Sequence, residues 1–303
     1  MSRADAGLTA PPPGPTAGPV LVPARPPGPV RAWLRLLRSE LALVFLRWRN
    51  LLLLAAVAAL PVILGIALRL AAPDGGAGGP GASFINQLAG NGIFLAFIAF
   101  TLMLTLVLPL AVAVVSGDSV AGEAGIGTLR YLLAVPAGRT RLLSVKYTAI
   151  VAYGLAASLL VAVVSLVTGV ALFPVGPVTL LSGTTVPLGE GLLRLLYVTL
   201  FVTAAMASLG AIGLAISTFT EHPIGAIAAV LVLAVASEVA DNVPQFSAVH
   251  PYLPTHWWLS FDSLLRAPVD STGLLHSLLS FAVYVVIFGS IAWARFTTAD
   301  ITA

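Results

Sequence analysis

Residues 116–146 read SGDSVAGEAGIGTLRYLLAVPAGRTRLLSVK, a polar interval set between two long apolar runs. Within it Leu129, Tyr131, Leu132, Leu133 and Val135 make a short apolar segment, opened by Gly127-Thr128 and closed by Pro136. A threonine hydroxyl can accept hydrogen bonds from the free backbone donors of a helix start, and proline has no N–H with which to continue a helix. The pattern predicts a helix of about two turns over 128–135, too short to cross a bilayer. Such a helix, at the mouth of a membrane bundle, is placed to receive force from a soluble partner.

The chain around this interval is 58% hydrophobic and 9% charged over 303 residues, with mean hydropathy +1.01. A soluble domain of that composition would lack the polar surface to stay dispersed, so lipid is the solvent for most of the chain. There is no cysteine, which excludes disulfides, thiolate metal sites and cysteine nucleophiles. Six apolar runs, at about 51–72, 91–115, 147–173, 192–218, 224–239 and 274–293, each suit a helix crossing about 30 Å of hydrocarbon. The expected fold is an all-α integral membrane protein with six transmembrane helices. Gly210 and Gly213 in the fourth run permit close helix approach.

Residues 1–29 are rich in Pro, Gly and Ala and read as a disordered tail, which cannot bury enough apolar surface to offset chain entropy. Residues 30–50 read as one amphipathic connecting helix. Arg31, Arg35 and Arg38 share one face, and Leu34, Leu37, Leu41, Phe45 and Trp48 the other. That arrangement suits a helix lying in the inner lipid interface. Residues 295–303 read as a short tail. With the amino terminus inside, Arg3, Arg25, Arg31, Arg35, Arg38, Arg47, Arg49, Arg130, Arg139, Arg141, Lys146 and Arg295 fall on the cytoplasmic side, against Arg69, Arg194 and Arg266 outside. The excess of positive charge predicts both termini in the cytoplasm and the 116–146 interval with them. The Ala, Gly, Pro and Arg usage suggests a GC-rich bacterium and its plasma membrane.

Gly122-Glu123, Gly127-Thr128-Leu129, Leu132-Leu133, Pro136, Arg139 and Lys146 together resemble the first cytoplasmic loop of ABC transporter permeases of the type-2 export class. Arg130 stands where that family often has an acidic residue. The resemblance covers about residues 30–300. It implies that the 128–135 segment is a coupling helix docking on a separate ATPase. Glu123, Gly127, Thr128, Leu129, Arg130, Leu132, Leu133, Pro136 and Arg139 then form the docking region, with Glu123 and Arg139 as its polar rim. It also implies a second permease copy or a homologous permease, and short helices between the fifth and sixth spans that cap the pathway, a region the run from His250 to Trp258 is similar to. The apolar spans suit an amphipathic cargo, a drug, antibiotic, peptide or lipid, moved outward.

The residues alone constrain this further. Lys146, the one lysine, is followed by Tyr147, so the chain lacks the Gly-Lys-Ser/Thr of a phosphate-binding loop. The chain is expected not to be an enzyme and to bind no cofactor, with ATP and Mg held by the partner. Neither a metal site nor nucleic-acid binding is expected. No His-Glu-x-x-His is present, and His250 and His256, with no carboxylate patterned beside them, read as polar loop residues. Gly117-Asp118-Ser119 lacks the glycines of a serine nucleophile turn.

Thr101, Thr105 and Glu238 are candidate pathway residues, and Glu238 with Asp241 also reads simply as the end of a span meeting water. Glu190 and Arg194 suit a helix-end ion pair, and Glu221-His222 a second contact with the ATPase. The alternatives are an ion-gradient transporter, which would want ionisable residues near mid-membrane, or a non-transporting sensor or immunity protein.

Overall fold

The computed structural model describes residues 28–71, 91–125 and 138–298. Gly127, Thr128, Leu129, Arg130, Leu132, Leu133 and Pro136 lie outside the described residues, as does the tail before residue 28.

Helix α1 (Pro29–Leu46) lies against the bundle through Trp33, Leu36, Leu37, Glu40, Val44 and Phe45, and keeps Arg31, Arg35 and Arg38 exposed. Trp33 Nε1 donates to Ser144 Oγ at 3.2 Å, and the Phe45 ring sits 5.7 Å from that of Tyr153. The basic face is the expected one, but the packed face is rotated. Leu34 is 52% exposed and Trp48 74%, because the buried stripe is centred on Glu40, an acid that apolar periodicity assigns to water.

The helix also stops at Leu46, short of the expected Asn50. Arg47 is extended (φ −67°, ψ 122°), and helix α2 (Trp48–Ala71) starts after it. Asn50 holds this corner from both sides. Its side chain donates to Val44 O at 2.8 Å, and its own N–H bonds Arg47 O at 3.0 Å.

The second apolar run forms two helices, α3 (Phe94–Thr105) and α4 (Val107–Gly125), broken at Leu106 (φ −146°, ψ −45°). Pro109 explains the break. It has no N–H to bond Thr105 O, and its ring crowds that carbonyl. Helix α4 then runs on through the polar residues to Gly125, with Ser116, Gly117, Asp118, Val120 and Ala121 buried. Helix α5 (Arg139–Leu172) begins a full two turns before the expected start at Tyr147. The expected 116–146 interval thus narrows to the residues between α4 and α5.

A two-stranded antiparallel hairpin follows, β1 (Val178–Thr179) with β2 (Thr185–Val186). Helices α6 (Leu188–Ser217) and α7 (Pro223–Asp241) come next, then 3-10 turns at Pro244–Phe246, His250–Tyr252 and Trp258–Leu265, and helix α8 (Ser271–Thr298). Helices α2, α4, α5, α6, α7 and α8 are long and apolar enough to cross a membrane, and α3 is a shorter apolar helix. The protein is an α-helical, membrane-embedded bundle. The first half of α3 is enclosed, every residue from Phe94 to Phe100 being buried, and α6 packs on α4, α5 and α8. Outward rows such as Ile63 and Ile66 on α2, Val232 and Val235 on α7, and Val283 and Val286 on α8 are exposed and apolar. That suits hydrocarbon as solvent.

Two backbone crossings tie the bundle. A Cβ on Gly92 or on Gly169 would fall on the other's carbonyl, and Gly92 N–H bonds Pro174 O at 2.9 Å. At the α1 end, a Cβ on Gly213 would strike Ser116 Oγ, and one on Gly117 would lie 2.8 Å from the Ile227 nitrogen. Gly210 likewise has Ile150 Cγ2 at 2.6 Å from its would-be Cβ. These glycines admit helix contact closer than any side chain allows.

Candidate functional site

The α1 end of the bundle holds a cluster of charge in which Lys146 and the three acids are buried or nearly so and Arg47 and Arg49 are part-exposed. Lys146, two turns inside α5, is 2% exposed. Its Nζ lies 2.6 Å from Glu123 Oε1 on α4 and 3.4 Å from Glu40 Oε1 on α1. Five residues before Glu123, Asp118 Oδ2 accepts from Arg47 at the α1–α2 corner and from Arg49 Nη2 on α2 at 2.9 Å. The acids Glu40, Asp118 and Glu123 balance Lys146, Arg47 and Arg49, so the cluster has no net formal charge. Ions removed from water need such pairing, because an uncompensated buried charge costs several kcal/mol. Tyr153 Oη donates to Asn50 O at 3.1 Å beneath it. The cavity among Glu40, Arg47, Asp118, Glu123 and Lys146 is about 30 Å³, room for water and not for an organic ligand. The cluster is a joint between four helices and not a substrate pocket.

The joint sits at the root of residues 126–137. Glu123 is two residues from the end of α4, and Arg139 opens α5. Glu123, expected at the polar rim of the docking surface, has its carboxylate turned onto Lys146. Arg139 Nη1 donates to Thr297 O at 2.7 Å and reaches Phe296 O at 3.5 Å, so it caps the last turn of α8. Trp293 Nε1 adds a bond to Thr140 Oγ1 at 3.0 Å. An Arg139→Gln variant is expected to speed backbone hydrogen exchange over 294–298 by about tenfold, since a helix end without its cap frays; unchanged exchange there would show that the cap is idle.

Glu221 and His222 are exposed in the α6–α7 turn, with Glu221 O placed 2.7 Å from a would-be Cβ on Gly125. The structure therefore brings this turn to the point where 126–137 leaves α4. Ser217 Oγ takes the N–H groups of Val120 and Ala121 at 3.0 and 2.9 Å, tying α6 to the same part of α4.

The other sequence candidates lie elsewhere. Thr101 and Thr105 are exposed on α3, their hydroxyls bonded to Phe97 O and Thr101 O of their own helix. Thr101 lines a cavity of about 220 Å³ with Phe94, Phe97, Leu259, Phe261 and Asp262, and Glu238 is not part of its wall. Glu190 and Arg194 form the expected pair at 2.7 Å. Arg194 also donates to Leu264 O at 2.5 Å and Arg266 O at 3.0 Å, which fastens the turn before α8 onto α6.

Sequence reasoning missed Glu40, Arg47, Arg49 and Asp118 as a unit. The available signal was the three acids Glu40, Asp118 and Glu123, set close to apolar runs among a majority of basic residues. Among the described residues, no group of three His, Asp or Glu is arranged to hold a metal ion.

No curated protein matches the chain. A family described as a protein of unknown function, DUF2705, matches residues 76–302. That stretch includes Asp118, Glu123 and Lys146 and leaves out Glu40, Arg47 and Arg49. The chain belongs to the DUF2705 family.

Proposed function

We propose that this protein is the membrane subunit of an exporter worked by a separate, soluble ATPase, with the 128–135 segment as the docking helix. The observation that carries this reading is the charge joint at the root of that segment. Lys146 after it pairs with both Glu123 before it and Glu40 of α1, and Arg139 grips α8. A push on residues 126–137 is thereby passed to α1, α4, α5 and α8 together, as a coupling element requires. The exposed Glu221-His222 turn beside Gly125 offers the ATPase a second contact. The α1 end carries Arg31, Arg35, Arg38, Arg47, Arg49, Arg139, Arg141, Lys146 and Arg295, against Arg69, Arg194 and Arg266 at the other end, which supports a cytoplasmic placement of the joint in a bacterial plasma membrane. The cargo is amphipathic and the pathway forms with a second permease copy or a homologous permease, ATP and Mg residing on the partner.

The test is purification of the tagged full chain from its host in mild detergent, beside a Leu132→Asp/Leu133→Asp variant. A soluble ATPase recovered in stoichiometric amount with the parent and lost from the variant is the expected result. An ATPase retained by the variant would move the docking site elsewhere. A chain that purifies alone, with no ATP hydrolysis, would replace the reading by a gradient-driven carrier or a non-transporting membrane protein.

A further inference from the structure

The end of the bundle remote from α1 holds a second polar cluster, built from three separate elements. Asp241 closes α7. His256, from the segment that follows, places Nδ1 2.6 Å from Asp241 Oδ1. His250, from the 3-10 turn before it, places Nδ1 3.9 Å from the same oxygen and Nε2 3.1 Å from Val243 O. The two imidazoles face each other at 6.1 Å. Nearby, Thr255 Oγ1 and Ser237 Oγ are 2.7 Å apart. Trp257 meets His256 edge-on and stacks on His276 of α8, and Tyr284 of α8 donates to Tyr252 O. The titratable groups around the pair are Glu238 and Asp241 from α7, Tyr252 from the segment, and His276 and Tyr284 from α8.

The acceptors fix where the protons are. A carbonyl and a carboxylate only accept, so His256 carries a proton on Nδ1 and neutral His250 carries its own on Nε2, facing Val243 O. Neutral His250 therefore turns a bare Nδ1 lone pair toward the Asp241 carboxylate. No hydrogen bond can form across that gap. A proton taken from water onto Nδ1 reverses the contact, giving an N–H donor 3.9 Å from a carboxylate oxygen, a gap that a shift of under about 1 Å closes to a hydrogen bond.

We propose that Asp241, His250 and His256 form a proton-binding latch, in which protonation of His250 closes a second charged hydrogen bond onto Asp241 and fastens residues 242–258 to the end of α7. The bound species is one proton, and its effect is to clamp the cover at this end of the bundle when the surrounding water turns acidic. His276, beyond Trp257, sits where the clamped segment meets α8, so the same closure braces α7 against α8. The inference stands apart from the coupling reading, since it concerns the opposite end of the chain and needs no ATPase.

The experiment is backbone hydrogen exchange of the full chain in lipid nanodiscs at about pH 8 and about pH 5.5. Exchange times are scaled for the pH dependence of the chemistry itself. In the parent, peptides over 242–258 should show roughly tenfold greater protection at the lower pH, the size expected for one charged hydrogen bond. His250→Gln should abolish the difference, and His222→Gln, at the other end of the bundle, should keep it. Asp241→Asn, which leaves an acceptor without charge, should cut the response to less than about threefold. Equal protection at both pH values in the parent, or a full response surviving in His250→Gln or in Asp241→Asn, would overturn the proposal.

Discussion

Lys146→Met is expected to lower the unfolding free energy by about 3–5 kcal/mol, the cost of removing one partner from a buried ion pair. The side chains are similar in length, so little packing is lost. What changes is that Glu40 and Glu123 lose the cation they share. Glu40→Gln/Glu123→Gln/Lys146→Met replaces the charged group by neutral side chains of like shape and should recover most of that loss, because pairing in a low dielectric barely offsets the desolvation of the ions. Unfolding by sodium dodecyl sulfate, followed by helicity in mixed micelles, measures both. A single variant within about 1 kcal/mol of the parent would mean that water reaches Lys146 and that the joint is not one. If the proposed coupling role is right, the same single variant should also fail to retain a soluble ATPase in the purification described above, since the flanks of residues 126–137 would no longer be anchored.

The second large effect is expected at the Gly92–Gly169 crossing. Alanine at either position places a Cβ on a backbone carbonyl, which cannot rotate away as a side chain can. The α3 start and the α5 end must separate, and overpacking of this kind costs about 3 kcal/mol. Gly154→Ala is the matched comparison on the same helix. Its Cβ would meet Met206 Cβ at 3.6 Å, an ordinary contact, and the gain in helix propensity of up to about 1 kcal/mol should leave it neutral or stabilising. If Gly169→Ala and Gly154→Ala, both on α5, unfold alike, the crossing is looser than its geometry.

Six apolar runs were legible because hydrocarbon demands about 20 such residues in sequence, and nothing else in the chain competes with that signal. Their ends were less legible at the α1 end, and for one reason. Hydropathy counts Asp118, Glu123 and Lys146 as residues for water, whereas in the fold they neutralise each other and Arg47 and Arg49, so α4 and α5 extend past them. Asp241 escaped notice as a partner of His250 and His256 for a related reason. It is separated from them by 9 and 15 residues, and only the return of the 3-10 turns onto α7 brings the three together. The break at Leu106 was carried by Pro109, which had been placed inside a span. The short segment at 128–135, on which the functional reading turns, falls outside the described residues, and its role rests on the ends that flank it.

The neutrality of the joint has an electrical consequence. A single charge carried across a membrane at 100 mV does work of about 2.3 kcal/mol. Three acids and three bases moving as one body sum to zero, so a movement that displaced α1, α2, α4 and α5 together would couple to no membrane potential through these residues. Removing Lys146 would leave the cluster with one negative charge, and the same movement would then couple to the potential through it.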